Sequence, residues 1–166
     1  QLTTVAVLGD ARGPTYSARM QEVDRASVAL NLRIHRVELN GTDDLSRAFA
    51  IVERARPGAL LALQTPIIVA LHRQIADLAI KARLPTMYID SEFAAAGGLV
   101  SYGPNYAELF KRSAHYVDKI LRGARPRDIP VEQVERFELV INLRTARQIG
   151  LQIPSKTLLQ ADRVIE

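Results

Sequence analysis

Short apolar runs alternate along this chain with longer stretches of helical period. Val5-Ala6-Val7-Leu8 stops at Gly9-Asp10 and reads as a buried strand ending in a loop. From Tyr16 the period lengthens, and Tyr16, Met20, Val23 and Leu30 share one helical face with Asn31 as a stop. Leu32 to Leu39 is a second strand whose phase slips at His35-Arg36, which suits an edge strand or a bulge. After the Asn40-Gly41 turn, Thr42 or Asp43 caps a helix with Leu45, Phe49 and Val52 as its buried stripe. Ala59-Leu60-Leu61-Ala62-Leu63 is apolar on both faces, as expected in the middle of a parallel sheet.

Gln64-Thr65-Pro66 opens a third helix with Ile68, Leu71, Ile75, Leu78 and Ala82 on one side. A fourth strand, Thr86 to Ile89, ends at Asp90-Ser91-Glu92, and Gly97-Gly98 turns into a fifth, Leu99 to Tyr102. Strands alternating with helices predict an α/β fold, a parallel sheet flanked on both faces by helices. Beyond Gly103 the pattern changes. Tyr106, Phe110, Val117 and Leu121 mark one face of a fourth helix that stops at Gly123. A basic, proline-containing connection follows, then a strand at Phe137 to Ile141. Asn142 caps a short helix that Gly150 ends, and Pro154-Ser155 starts a last one. The pattern divides the chain into an α/β unit over 1–103, a helical segment over 104–125 and a tail over 126–166.

Composition narrows the functional classes. Of 166 residues, 48% are hydrophobic and 24% charged, enough apolar material for a sizeable core. No run reaches the roughly 18–20 apolar residues of a membrane span. The net charge is +4, but basic residues are mixed with acids and aromatics make up only 5%, so nothing suggests nucleic-acid binding. The absence of cysteine excludes disulfides and thiolate chemistry. His35, His72 and His115 fall on different elements, without the spacing of metal ligands. No phosphate-binding loop or nucleophile elbow is present, so no cofactor and no catalysis are expected. The chain starts at Gln1-Leu2-Thr3-Thr4, without an initiator Met or the regions of a signal peptide, which suggests a processed or cut product of a longer precursor.

Binding is the remaining chemistry. Open α/β sheets hold ligands in the crevice beyond the carboxyl ends of their strands. The candidates there are Asp10 and Tyr16 after the first strand, Thr65 after the third, Asp90 and Ser91 after the fourth, and Tyr102 after the fifth. Short hydrogen-bonding groups with two aromatics suit a small polar or zwitterionic solute with an apolar part. Each also has a purely structural alternative. Asp10 can order its loop, Thr65 can cap its helix, Asp90 and Ser91 can cap their turn, and Tyr102 can be core.

The run Gly97-Gly98-Leu99-Val100-Ser101-Tyr102-Gly103-Pro104-Asn105 resembles a signature of the ABC-transporter solute-binding proteins that include tryptophan- and tyrosine-type members. The resemblance continues through Tyr116 to Ala124, Ile129 to Gln133, Phe137 to Leu143 and Gly150 to Pro154. It implies one lobe of a type I periplasmic-binding fold with a crossover tail, from a protein about twice as long. It further implies a periplasmic or extracellular location, no enzymatic activity, an amino acid or related solute held between two lobes, and an ABC permease as partner. In such a fold the helix from about Tyr106 to Leu121 returns to the other lobe. Its apolar face then needs a partner, which predicts self-association through it. A regulator's ligand-sensing domain and a flavodoxin-like cytoplasmic protein are the alternatives.

Overall fold

The computed structural model of the protein describes residues 2–132 and 136–166. Gln133 of the Ile129–Gln133 motif lies outside them. Seven strands form one sheet: β1 (Thr4–Asp10), β2 (Arg33–Leu39), β3 (Ala59–Ala62), β4 (Thr86–Tyr88), β5 (Val100–Pro104), β6 (Phe137–Asn142) and β7 (Arg163–Ile165). The helices are α1 (Tyr16–Leu30), α2 (Leu45–Ala55), α3 (Pro66–Ala70), α4 (His72–Lys81), α5 (Ser91–Ala95), α6 (Tyr106–Leu121), α7 (Leu143–Ile149) and α8 (Ser155–Leu158). The sheet order is β2-β1-β3-β4-β5-β6-β7. The first five strands are parallel, β6 runs antiparallel to β5, and β7 is parallel to β6.

Successive side chains along β1 enter opposite layers, as a period of two requires. Ala6 and Leu8 join the larger core with Val37, Leu60, Phe49, Ile75 and Tyr88, under α2, α4 and α5. Val5 and Val7 face α1 through Met20 and Leu63. Burying each large aliphatic or aromatic side chain stabilises the fold by about 1.5–3 kcal/mol. β2 lies at the sheet edge with unbroken register, so the phase slip at His35-Arg36 reflects its half-exposed setting and not a bulge.

Several local features differ from the sequence pattern. The third helix is two, broken at Leu71. Leu30 overhangs the end of α1 and stays 67% exposed. A 3-10 turn over Thr42–Asp44 precedes α2, so neither Thr42 nor Asp43 caps it; Asp44 sits at the N-cap and instead accepts the Asn40 N–H and pairs with Arg47. Asp90 starts a helical turn, α5, where only a turn is expected, and β7 joins the sheet through pairing with a strand 23 positions earlier (Val140↔Arg163).

The sheet is not covered evenly. Tyr88, Ser101 and Val140 point into the larger core. The residues of opposite phase, Met87 and Tyr102, with Phe137 beside them, are 40%, 49% and 47% exposed. Tyr102 stacks on Phe137 with ring centroids 5.5 Å apart. α1 lies in this layer over β1 to β3, while Val100 of β5 packs with Leu143, Ala146 and Ile149 of α7, and Ile141, paired with Val100, is buried.

Two glycines of the Gly97–Asn105 run are explained by close packing. A Cβ at Gly98 would stand 2.4 Å from the Tyr88 ring, and one at Gly103 would stand 2.0 Å from the Ile89 carbonyl oxygen. The second obstacle is backbone and cannot swing aside. Gly103→Ala is therefore expected to cost about 1–3 kcal/mol or more by forced overpacking, read as a fall in the thermal midpoint.

Tyr88 presents a second test. Its ring is buried and its hydroxyl has no hydrogen-bond partner among the described residues. Burial pushes its ionisation up to about 12 from the ordinary 10. A pKa raised on folding gives stability that is present below pH 10 and lost as pH rises toward 12. Tyr88→Phe is expected to fold at pH 7 with unchanged or slightly higher stability and to lose less of it between pH 10 and 12, as measured by urea denaturation across that range.

Candidate functional site

The carboxyl ends of β1, β3, β4 and β5 open on one edge of the sheet, and the chain there is tied into a connected polar network. Asp90 ends the β4 connection and caps α5, its Oδ1 accepting the Glu92 N–H at 2.9 Å. Its Oδ2 accepts from Gln64 Nε2 at 3.4 Å. Gln64 Oε1 accepts from the Tyr106 hydroxyl at 2.9 Å, and its carbonyl accepts from the Arg19 guanidinium. The ends of β3, β4 and β5 are thus linked through one amide side chain. On the β6 side, Asn105 Nδ2 donates to Glu138 Oε2 at 3.2 Å, while Asn105 Oδ1 accepts the Glu108 N–H and caps α6.

An open crevice of about 460 Å³ lies over this network, lined by Gln64, Asp90, Ser91, Glu92, Asn105, Tyr106, Phe110 and Glu138, with Arg163 at its margin. Three carboxylates face one guanidinium, and Glu138 is already engaged by Arg163 at 3.8 Å. Asp90 and Glu92 therefore leave the crevice with an excess of negative charge. Tyr106 and Phe110, one helical turn apart, give it an apolar wall. A site of this kind suits a cationic group joined to an apolar body. At the opposite edge, a smaller groove of about 280 Å³ is lined by Val52, Glu53, Arg56, Pro57, Ala82 and Leu84 and lacks such convergence of polar groups.

Of the six residues singled out from the sequence, Asp90 and Ser91 line the crevice. Asp10 and Tyr16 lie at the neighbouring end of β1. Asp10 is buried and accepts the Arg12 N–H at 3.1 Å, which orders its loop. The Tyr16 hydroxyl donates to Glu38 at 3.0 Å, and burial, then this bond to a carboxylate, pushes its ionisation up to about 12. Gly9 leaves the space its ring occupies, since a Cβ there would stand 2.7 Å from the ring. Thr65 caps α3, accepting the Ile68 N–H at 3.4 Å. Tyr102 is placed elsewhere: the pleat turns it onto the open face of the sheet against Phe137.

Gln64, Glu92, Asn105, Tyr106, Phe110, Glu138 and Arg163 join the crevice without having been singled out as site residues. Asn105 was detectable, because Asn three positions before Glu108 and ahead of an apolar stripe is a helix-start signal. Glu138 and Arg163 were not, because only the antiparallel return of β6 and the addition of β7 bring them there.

The sequence matches the ABC transporter substrate binding protein family over residues 4–165, and the chain belongs to that family. Its members bind substrates and are not enzymes. No curated protein matches the chain. Among solved structures, it is similar to a conserved domain protein from Vibrio cholerae O1 biovar El Tor, at 20% identity and a TM-score of 0.90, covering 99% of this chain and 55% of that one. It is also similar to an ABC domain from Streptococcus pneumoniae in complex with L-Trp, at 19% identity and a TM-score of 0.87, covering 99% of this chain and 57% of that one. A ligand-free, open substrate-binding protein with adhesive properties from Clostridium difficile matches at 14% identity and a TM-score of 0.76, covering 100% and 55%. The chain thus spans little more than half the length of these proteins, and at such identities the likeness establishes the fold. No helix among the described residues is long and apolar enough to cross a membrane.

The cap and charge roles of Asp90 are separable. Asp90→Ala removes the acceptor at the start of α5 and is expected to cost about 1 kcal/mol. Asp90→Asn retains an acceptor oxygen and is expected to cost less than half of that, with thermal denaturation of both variants as the measurement.

Proposed function

We propose that this chain is a solute-receiving lobe of an extracytoplasmic binding protein that delivers a small zwitterionic solute, an amino acid with an apolar side chain, to an ABC permease. The observation that carries this reading is the crevice at the carboxyl edge of the sheet, where Asp90 and Glu92 stand beside Tyr106 and Phe110. The family supports a substrate-binding role, and the L-Trp complex of a structure with the same fold supports the amino-acid class.

In this reading the solute's ammonium group faces Asp90 and Glu92, where hydrogen bonds assisted by opposite charge are strongest. Its apolar side chain lies along Tyr106 and Phe110. Asp10, Tyr16 and Thr65 hold the shape of the neighbouring strand ends, and Ser91 offers a hydroxyl to the solute. The similar structures are nearly twice as long as this chain, and in this reading a second lobe supplies the opposite wall and the contacts to the solute's carboxylate. The 1–103 unit is the body of one lobe, and α6, within 104–125, belongs with the opposite one. Closure about the connections between lobes then traps the solute, since a ligand touching both lobes stabilises the closed state. The permease recognises that closed form.

Calorimetric titration of the chain with L-tryptophan, L-leucine and the deaminated analogue indole-3-propionate tests the reading. The amino acids are expected to bind at millimolar concentration or tighter, the deaminated acid at least tenfold more weakly, and Asp90→Asn to weaken the amino acids tenfold or more, equivalent to about 1.4 kcal/mol. Equal binding of the deaminated acid, or an Asp90→Asn variant with unchanged affinity, contradicts it.

A further inference from the structure

Gln64 is the junction of the crevice's polar end. Its backbone carbonyl accepts from the Arg19 guanidinium of α1, and its side-chain amide bridges Asp90 and Tyr106. Arg19, Gln64, Asp90 and Tyr106 are all half-buried. The direction of the amide follows from the groups on either side of it. A carboxylate only accepts hydrogen bonds, so Asp90 takes the nitrogen end, with Nε2 at 3.4 Å from Oδ2. The oxygen end is left for Tyr106, whose hydroxyl donates its one proton to Oε1 at 2.9 Å.

A free tyrosine hydroxyl donates or accepts as its partner requires. Here the proton is committed to Gln64, so Tyr106 offers the crevice it lines an acceptor lone pair. The carboxylates of Asp90 and Glu92 in the same lining are acceptors too. Asn105 is spent elsewhere, its oxygen on the Glu108 N–H and its nitrogen on Glu138. Three acceptors thus converge at the polar end: Asp90, Glu92 and the Tyr106 oxygen. A primary ammonium carries three N–H donors on one charged centre, and each N-alkyl group removes one of them.

We infer that Gln64 determines specificity: by fixing Tyr106 as an acceptor, it makes the crevice selective for a primary ammonium group over N-alkylated amines. Gln64 acts through Tyr106 and Asp90 and is a positioning residue. The inference rests on the proposed function and narrows its substrate class to solutes with an unsubstituted amine. A hydroxyl free to turn adapts to a missing N–H. One whose proton is already placed meets the alkyl group with a lone pair that nothing satisfies, and an acceptor left without a donor is what discriminates. The Arg19 bond to the Gln64 carbonyl and the Asp90 bond to its amide hold this arrangement before any solute arrives.

The test is a calorimetric comparison of L-tryptophan, Nα-methyl-L-tryptophan and indole-3-propionate on the unmodified chain, on Gln64→Met and on Tyr106→Phe. The unmodified chain is expected to bind the N-methyl compound about five- to tenfold more weakly than L-tryptophan, the loss of one charge-assisted hydrogen bond. Gln64→Met, of similar length but without the amide, and Tyr106→Phe are each expected to reduce that ratio to about twofold or less, while the deaminated acid stays about tenfold or more weaker through Asp90. Circular dichroism shows which variants keep the fold, and either one suffices. Variants that weaken all three compounds alike and leave the ratio unchanged would give Gln64 a purely structural role and overturn the inference. Equal binding of L-tryptophan and its N-methyl derivative by the unmodified chain, with the deaminated acid rejected, overturns the inference and leaves the proposed function standing. No binding of L-tryptophan, or equal binding of the deaminated acid, overturns both.

Discussion

The close approach of Gly103 to the Ile89 carbonyl controls how this lobe is assembled. With no side chain between them, β5 can pass the end of β4 and leave the sheet at Pro104-Asn105. From that exit follow the cap on α6, the bond from Asn105 to Glu138, and the bond from Tyr106 to Gln64. The antiparallel return of β6 along β5 then brings Glu138 to the edge where Asp90 and Gln64 already stand. The crevice therefore results from a backbone contact, and its carboxylates are held in place by groups whose main task is to end strands and start helices.

That dual use accounts for the character of the site. Asp90 is both a helix cap and the charged floor of the crevice. Asn105 caps α6 through its oxygen and holds Glu138 through its nitrogen. Side chains fixed in this way present their remaining lone pairs in a set direction before any solute arrives, which lowers the ordering cost of binding. Glu92, exposed and without a protein partner among the described residues, can adapt its position.

Much of the lobe was legible in the sequence, and for local reasons. The apolar runs at Val5–Leu8 and Ala59–Leu63 gave central strands, and Asn142 and Gly150 marked the ends of a helix that the structure caps at those positions, Gly150 in the left-handed region at φ 74°. Thr65 and Asp90 both proved to be caps. What escaped was non-local. A run such as Val100-Ser101-Tyr102-Gly103 shows that alternate residues face opposite ways, but not which face is covered, so Tyr102 was drawn toward the crevice when the pleat places it on the open face. The direction of β6 and the existence of β7 depend on pairing partners distant in sequence, and with them Glu138 and Arg163 entered the crevice unannounced. The fold class was legible too: the sheet is mostly parallel and flanked by helices, and only the direction of β6 against β5 departs from the pattern. The resemblance carried by the Gly97–Asn105 run agrees with the family to which the chain belongs.

The central claim is that the carboxyl edge of the sheet, and no other surface, receives an amino-acid solute. Amide chemical-shift mapping of the isotope-labelled chain during titration with L-tryptophan tests it most directly. The account predicts shifts concentrated at Gln64, Asp90, Ser91, Glu92, Asn105 and Tyr106, with the amides around Val52, Arg56 and Leu84 at the opposite edge unmoved. Shifts centred on that opposite groove, or no shifts at saturating solute, would contradict it.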